Sequence, residues 1–275
     1  LVDTASTTCT SHDLVPMDDG KMLCTFVDTA LTYSVVRSAA GVWGSRNLIS
    51  VNLADPSATW RGLDGAFYNL ASSGAPGTTT GTNAYRINRS TDGVTWSLQT
   101  YDCGIAYDGT NDRRIRVAAL RGSIVAFVTS FTGTSSVVKQ YASIDGVNFT
   151  LVGTSVVSCT VWDVRAYKGL LYVVTVEDFT GTLSLGLRSI GSASQDLWNG
   201  TAKLVVSGAN DHTRWASLAI RPEDGTIVVY DYLTAILVAA RTTYNRGDSW
   251  VYTEPLLFDG GWTKVYGPLS IAFWR

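Results

Sequence analysis

Ser90-Thr91-Asp92-Gly93-Val94-Thr95-Trp96 is a tight-turn sequence that ends on an aromatic, and it returns as Ser143-Ile144-Asp145-Gly146-Val147-Asn148-Phe149. An earlier copy, Arg37-Ser38-Ala39-Ala40-Gly41-Val42-Trp43, keeps the glycine and the indole but lacks the acid; two looser copies end at Trp198 and Trp250. The terminal aromatics lie 53, 53, 49 and 52 residues apart. A steady period of this length signals stacked copies of one supersecondary unit.

Working outward from Asp145-Gly146 gives the content of one unit. Arg114–Leu120 reads as a strand, Arg121-Gly122 as a turn and Ser123–Ser130 as a buried apolar strand. A Gly/Thr/Ser loop follows, then an alternating strand at Val137–Ile144, the Asp-Gly hairpin and a fourth strand at Phe149–Thr154. The same plan fits Asp13–Asp28 around Asp18-Asp19-Gly20, and Trp215–Leu257. Four antiparallel strands per unit of this length describe the blade of an all-β propeller. The expected blades are roughly 12–52, 58–104, 112–156, 161–207 and 213–258, within a single domain spanning 1–275. A further strand at 264–274 either closes a five-bladed ring, the favoured count, or opens a sixth blade. No polar capping repeat is visible at either end, which favours a ring over an open solenoid.

Composition sets the outer limits. The chain has 275 residues, is 45% hydrophobic and only 16% charged, and carries 26 glycines. Few helix formers and many turn residues fit short strands. A net charge of −2 offers no broad basic field for nucleic acid. No apolar run reaches the roughly 20 residues of a membrane helix, so membrane insertion is not expected. Cys9, Cys24, Cys103 and Cys159 have no metal-site spacing; they read as buried thiols, with Cys9–Cys24 the alternative disulfide. His12 and His212 lie in no nucleophile-elbow context. No cofactor or metal is expected. The chain opens on Leu1, which suits a mature product or a piece of a larger parent chain or assembly.

The repeated turn resembles the Asp-box, or bacterial neuraminidase repeat, with pattern Ser-x-Asp-x-Gly-x-Thr-Trp. Thr243–Trp250 gives the full-length register, with Asn245 in the acid position; Ser90–Trp96 and Ser143–Phe149 are one residue shorter. The resemblance implies a sialidase-like propeller in which Asp92, Trp96, Asp145, Phe149, Asn245 and Trp250 are structural. It would supply Arg61, Arg114 and Arg214 as carboxylate clamps, Asp163 as acid, and Tyr230 or Tyr232 with Glu177 as a nucleophile pair. The family's Arg-Ile-Pro element is absent; Arg86-Ile87-Asn88 is the nearest sequence and runs into a repeated turn.

In an antiparallel four-strand blade the first and third turns share one face, and the second turn and interblade linker share the other. The strand starts on that second face are distinctive: Trp60-Arg61, Asp112-Arg113-Arg114, Trp162-Asp163, Arg214-Trp215 and Trp262-Thr263-Lys264, with second-turn segments Ser72–Ala84, Glu177-Asp178 and Tyr230-Asp231-Tyr232. Their tryptophans serve either as wedges between blades or as platforms for sugar rings, whose C–H faces stack on indole while Arg and Asp bind hydroxyl or carboxylate groups. The candidate ligand-binding residues are therefore Trp60, Arg61, Arg114, Trp162, Arg214, Trp215, Tyr232, Trp262 and Lys264. The favoured expectation is a non-catalytic, lectin-like module for a glycan or cell-surface ligand, extracellular or virion-associated, as in a phage attachment domain. A sialidase-type or other glycoside hydrolase and a structural interaction platform are the alternatives.

Overall fold

The computed structural model describes residues 9–28, 31–50, 57–72, 85–100, 103–108, 112–132, 135–179, 182–207, 216–221, 223–234, 237–243 and 251–257. These form a β-propeller of antiparallel four-stranded blades, five of them among the described residues. The first blade is β1 (Cys9–Pro16), β2 (Met22–Asp28), β3 (Leu31–Arg37) and β4 (Asn47–Ser50); the second is β5 (Ser57–Arg61), β6 (Phe67–Ser72), β7 (Tyr85–Ser90) and β8 (Ser97–Thr100). The third is β9 (Asp112–Leu120), β10 (Ser123–Thr132), β11 (Ser135–Ser143) and β12 (Thr150–Thr154). The fourth is β13 (Cys159–Tyr167), β14 (Leu170–Phe179), β15 (Thr182–Ile190) and β16 (Lys203–Ser207), and the fifth is β17 (Ala216–Ile220), β18 (Ile227–Thr234), β19 (Leu237–Thr243) and β20 (Val251–Leu257). The innermost strands β1, β5, β9, β13 and β17 pack side by side in that order. The strand expected at 264–274 lies outside the described residues.

The core is divided among the blade interfaces, and the sequence of β10 shows why. Ile124, Ala126 and Val128 join a cluster with Trp60, Tyr68, Leu70 and Ile87 of the second blade. Val125 and Phe127, on the other face, join Cys159, Val161, Leu171 and Trp198 of the fourth. A strand buried on both faces has no polar side to alternate with, hence the unbroken run of Ser123–Ser130. Each large side chain so buried contributes roughly 1.5–3 kcal/mol. β14 divides in the same way: Leu171 and Val173 face the third blade, Tyr172, Val174 and Val176 the fifth.

The turn aromatics have one direction. Trp96 packs on Val15, Leu23 and Val36 of the blade before it, Phe149 on Trp60, and Trp198 on Leu120, Val125 and Phe127. Each wedges its own blade against its predecessor. The acids hold the turns closed. Asp145 Oδ1 accepts the N–H groups of Val147 and Asn148, each at 2.8 Å, and the Ser143 hydroxyl at 2.8 Å. Asp92 Oδ1 makes the equivalent bonds to Val94, Thr95 and Ser90 at 2.8, 2.7 and 2.9 Å. Gly93 is required twice over: its φ is +74°, and a Cβ there would meet Leu23 of the preceding blade at 3.0 Å. In the fourth copy, which lacks the glycine, Asp196 caps a short 3-10 turn at Leu197–Asn199 by accepting Trp198 N–H at 2.9 Å. Asn245 and Trp250 lie outside the described residues.

The alternative disulfide is set aside here, and one expectation changes. Cys24 pairs across the ladder with Leu14, whereas Cys9 pairs with Asp28 at the far end of β1, so strand register separates the two cysteines proposed as a disulfide. Cys24, Cys103 and Cys159 are buried thiols. Glu177 and Tyr230–Tyr232 were read as second-turn loops, but lie within β14 and β18.

Candidate functional site

The inner strands carry charge into the centre of the ring. Asp13 of β1 accepts the N–H of Thr59 on β5 at 2.9 Å. Asp163 of β13 makes the same kind of link to β17, accepting Leu218 N–H at 2.9 Å and the Ser217 hydroxyl at 3.1 Å. Its other oxygen accepts Val164 N–H at 2.8 Å and pairs with Arg165 at 3.0 Å. Between them, Arg116 of β9 donates through Nε to the Trp162 carbonyl at 2.7 Å. These side chains stitch blade to blade. Asp13, Arg116, Asp163 and Arg165 also lie close enough to influence one another. Burial lifts the Asp13 carboxyl from 3.8 to about 6; Arg116, the Thr59 N–H and Arg165 oppose the rise, and Asp163 adds to it. Arg165 keeps 40% of its side chain exposed.

The other candidates separate into distinct environments. Trp60 and Trp162 are 3% and 2% exposed. Trp60 stacks on Tyr68 and meets Phe149 edge-on, and the Arg114 guanidinium lies 3.4 Å over the Trp162 ring. Of their two possible roles, both indoles take that of wedge: Tyr68 of the same blade stacks on the Trp60 ring, and Arg114 of the third blade lies over that of Trp162, on the faces a sugar would need. Arg61 is on the opposite face from its expected one. β5 begins at Ser57, so Arg61 sits at its far end, paired with Asp18 in the first turn of the first blade at 2.9 and 2.6 Å. Glu177 is 1% exposed and bound by Arg188 at 3.0 and 2.5 Å and by the Thr175 hydroxyl at 2.5 Å. Tyr230 and Tyr232 pair through their main chains with Ser217 and Val238 respectively. Arg214, Trp215, Trp262 and Lys264 lie outside the described residues.

A cleft of about 660 Å³ opens between the first and second blades. It is lined by first turns (Asp18, Asp19, Gly65) and by third turns (Ser38, Val42, Thr91, Asp92), which places both turn types on one face. Met17, Val36 and Phe67 form apolar lining; Trp43 also borders the cleft but packs with Cys24, Phe26 and Val35 on the other face of the first blade. Sequence reasoning passed over this cleft because it treated the turn face as purely structural. Two signals were available: the missing acid in Ser38–Trp43, and the adjacent acids Asp18-Asp19.

No protein-family model and no curated protein matches the sequence. Solved structures match it in shape. The chain superposes on the Aleuria aurantia lectin, solved with alpha-methyl-L-fucoside, with a TM-score of 0.62 and 12% identity, covering 90% of this chain and 79% of the lectin. That lectin is described as a six-bladed β-propeller with a novel fucose recognition mode. A protein of unknown function from Dyadobacter fermentans matches at TM-score 0.63 and 14% identity, over 92% of this chain and 84% of its own. An ulvan lyase bound to a glucuronate–sulfated rhamnose unit matches at TM-score 0.58 and 10% identity, over 98% and 73%. At these identities the likeness is one of fold.

Proposed function

We propose that this propeller recognises carbohydrate, in the manner of a lectin, at its central channel. The observation that carries the reading is charge on the inner strands of three blades: Asp13 bonded to Thr59 N–H, Arg116 bonded to the Trp162 carbonyl, and the part-exposed Arg165 beside Asp163. Guanidinium groups bind hydroxyl and carboxylate oxygens in paired geometry, and a carboxyl accepts from sugar hydroxyls. The shape shared with a fucose-binding lectin and a polysaccharide lyase supports the choice of ligand class. Bonding around Asp92 and Asp145 supports reading the repeats as Asp-boxes of the sialidase-like superfamily. The favoured setting is extracellular or virion-borne, as for a host-attachment module, in keeping with the Ser/Thr/Gly-rich, Lys- and Glu-poor composition. The test is a glycan array followed by titration of the bound sugar. Arg165→Ala is expected to weaken binding at least ~10-fold with the fold intact, the loss of about one charged hydrogen bond. A wild-type protein that binds no glycan overturns the reading.

Glycoside hydrolysis is the second reading, and Asp13 is what favours it. A carboxyl that titrates near 6 keeps its proton in mildly acidic solution, as a general acid must. Release of a fluorogenic aglycone at pH 5, abolished in Asp13→Asn, would establish it. Asp163 and Glu177 are buried and tied to main-chain and arginine partners, which argues against either as the catalytic group.

A further inference from the structure

At the first turns of three blades an arginine is matched by a carboxylate. Arg61 holds Asp18 at 2.6 Å, Arg89 holds Asp64 at 2.8 Å and Arg221 stands 3.6 Å from Asp224. The seam between the third and fourth blades breaks this pattern. Their first turns are Arg121-Gly122 and Lys168-Gly169, with no acid in either, and both cations are exposed.

The inner strands that lead into these turns, β9 and β13, lie side by side and bring in Arg116 and Arg165. What each cation touches decides how much charge survives. Arg116 crosses the seam through Nε to the Trp162 carbonyl at 2.7 Å and turns Nη1 back to the Ile115 carbonyl at 2.9 Å. Nearer the turn, Arg121 repeats the crossing, donating through Nε to the Gly169 carbonyl at 2.9 Å. A Cβ at Gly169 would meet Arg121 Nε at 2.8 Å and Nη2 at 2.9 Å, so this glycine makes the room for the guanidinium. Its terminal nitrogens make no hydrogen bond among the described residues. Lys168 Nζ lies 5.1 Å from the centroid of the Tyr167 ring. Carbonyls and rings orient a cation without neutralising it.

Of these four cations only Arg165 meets a carboxylate among the described residues, that of Asp163 at 3.0 Å. Asp163 is buried and already accepts from Val164, Leu218 and Ser217. The third-turn acids of the same blades, Asp145 and Asp196, are bound by N–H groups of their own turns. Even with Asp13 counted, which senses Arg116 and Arg165 from β1, four cations face two acids. The seam is therefore net positive in a chain whose net charge is −2.

A guanidinium offers paired donors to the two oxygens of a carboxylate or sulfate. The acids on the neighbouring first turns, Asp18, Asp19, Asp64, Glu223 and Asp224, would repel a long, evenly charged backbone such as a nucleic acid. A polymer with spaced anionic groups meets no such barrier. We propose that this seam seats the anionic group of an acidic saccharide, a carboxylate or a sulfate ester, at the first-turn end of the channel. The inference rests on the carbohydrate-recognition reading and adds the class of sugar. It uses none of Arg61, Arg114 and Arg214, the clamps that the sialidase-like resemblance would supply.

The test titrates the whole chain with oligosaccharides of matched length from a polyuronate, a sulfated glucan and a neutral glucan, and with oligothymidylate as an anion that is not a sugar. At least one acidic oligosaccharide should bind about 10-fold tighter than the neutral one, and the tighter of the two acidic arms tells carboxylate from sulfate. The double variant Arg121→Gln with Lys168→Gln, on exposed turns, should keep the parental urea midpoint, lose the preference and show a shallower salt dependence. Arg221→Gln, a matched arginine outside the seam, should bind like the parent; an equal loss there would make the effect one of overall charge and overturn the assignment. If no sugar binds the parent protein, the carbohydrate reading falls and the seam with it. If the neutral glucan binds as tightly as the acidic ones, or the double variant keeps the preference, the seam proposal alone is overturned. Oligothymidylate bound as tightly as the acidic sugars would overturn the saccharide in favour of a general polyanion.

Discussion

The indole of Trp96 crosses the first blade boundary and donates from Nε1 to the hydroxyl of Ser34 at 3.0 Å, while that hydroxyl donates to the Gly93 carbonyl at 2.7 Å. One buried serine thus ties a strand of the first blade to the turn and the aromatic of the second. Ser34→Ala removes the acceptor for the indole and the donor for Gly93 in one step. The expected cost is about 1–2 kcal/mol, since buried groups lose their partners. It should appear as a lower urea midpoint with near-parental fluorescence. An unchanged midpoint would mean that apolar packing alone holds the boundary.

The turn acids predict an acid-side weakness. The N–H of Asn148 is the chief influence holding the Asp145 carboxyl well below its usual range, against the effect of burial. Burial acts to raise Asp92, and the N–H groups of Thr95 and Val94 more than offset it. A group whose folded value is depressed stabilises the fold above its unfolded value, and that contribution is lost as pH falls through the folded one. Unfolding midpoints should therefore decline below about pH 4, and Asp145→Asn should flatten that decline. Each turn, lacking its acid as in Asp145→Ala, should cost about 1–2 kcal/mol at pH 7. A parental acid limb in Asp145→Asn would assign the decline to other carboxylates.

Asp13 should act with the opposite sign. Its folded value, about 6, lies above the ordinary 3.8. The folded state holds this proton more tightly, so the contribution is complete below pH ~4 and is lost as pH rises through 6. The two-unit rise corresponds to at most ~3 kcal/mol; part of the residue is open to solvent, so about 1 kcal/mol is the reasonable expectation at pH 7. Asp13→Asn keeps an acceptor for Thr59 and removes the titration. Its urea midpoint should gain on the parent between pH 4 and 7, and a loss over that interval would contradict the account.

The sequence made the blades readable for a reason specific to this fold. Ser123–Ser130 is apolar on both faces because β10 is sandwiched between two other blades, and Asp145-Gly146 can do little but turn. The site was less readable. Whether Trp162 is a wedge or a platform depends on whether Arg114 lies over the ring, a contact between residues 48 apart. Arg61 was assigned to the wrong face because Ser57-Ala58 carries no strong strand signal, and a strand beginning there carries Arg61 to its other end. The cleft was hidden for a third reason. It depends on the gap between two neighbouring blades, and the missing acid at Ala40 and the adjacent acids Asp18-Asp19 were its two hints.

Glu177 gives the sharpest test of structural against catalytic use. It is bound by Arg188 through three nitrogen–oxygen contacts, and the same guanidinium donates to the carbonyls of Leu197 and Gly200 and lies 5.4 Å from the Trp198 ring centroid. The pair therefore anchors the fourth turn to the middle of its own blade. Arg188→Met leaves a carboxylate buried without its counter-charge and should cost about 3–5 kcal/mol. Glu177→Gln should cost less, because Gln can still accept from Arg188 and Thr175. The double variant, Arg188→Met with Glu177→Gln, should recover part of the first loss, because an uncompensated buried charge accounts for most of it. Chemical denaturation of the three proteins reads this directly. Additive losses would mean that the two side chains do not act as a pair. Full stability in Glu177→Gln together with lost glycosidase turnover would instead make this carboxylate a catalytic group.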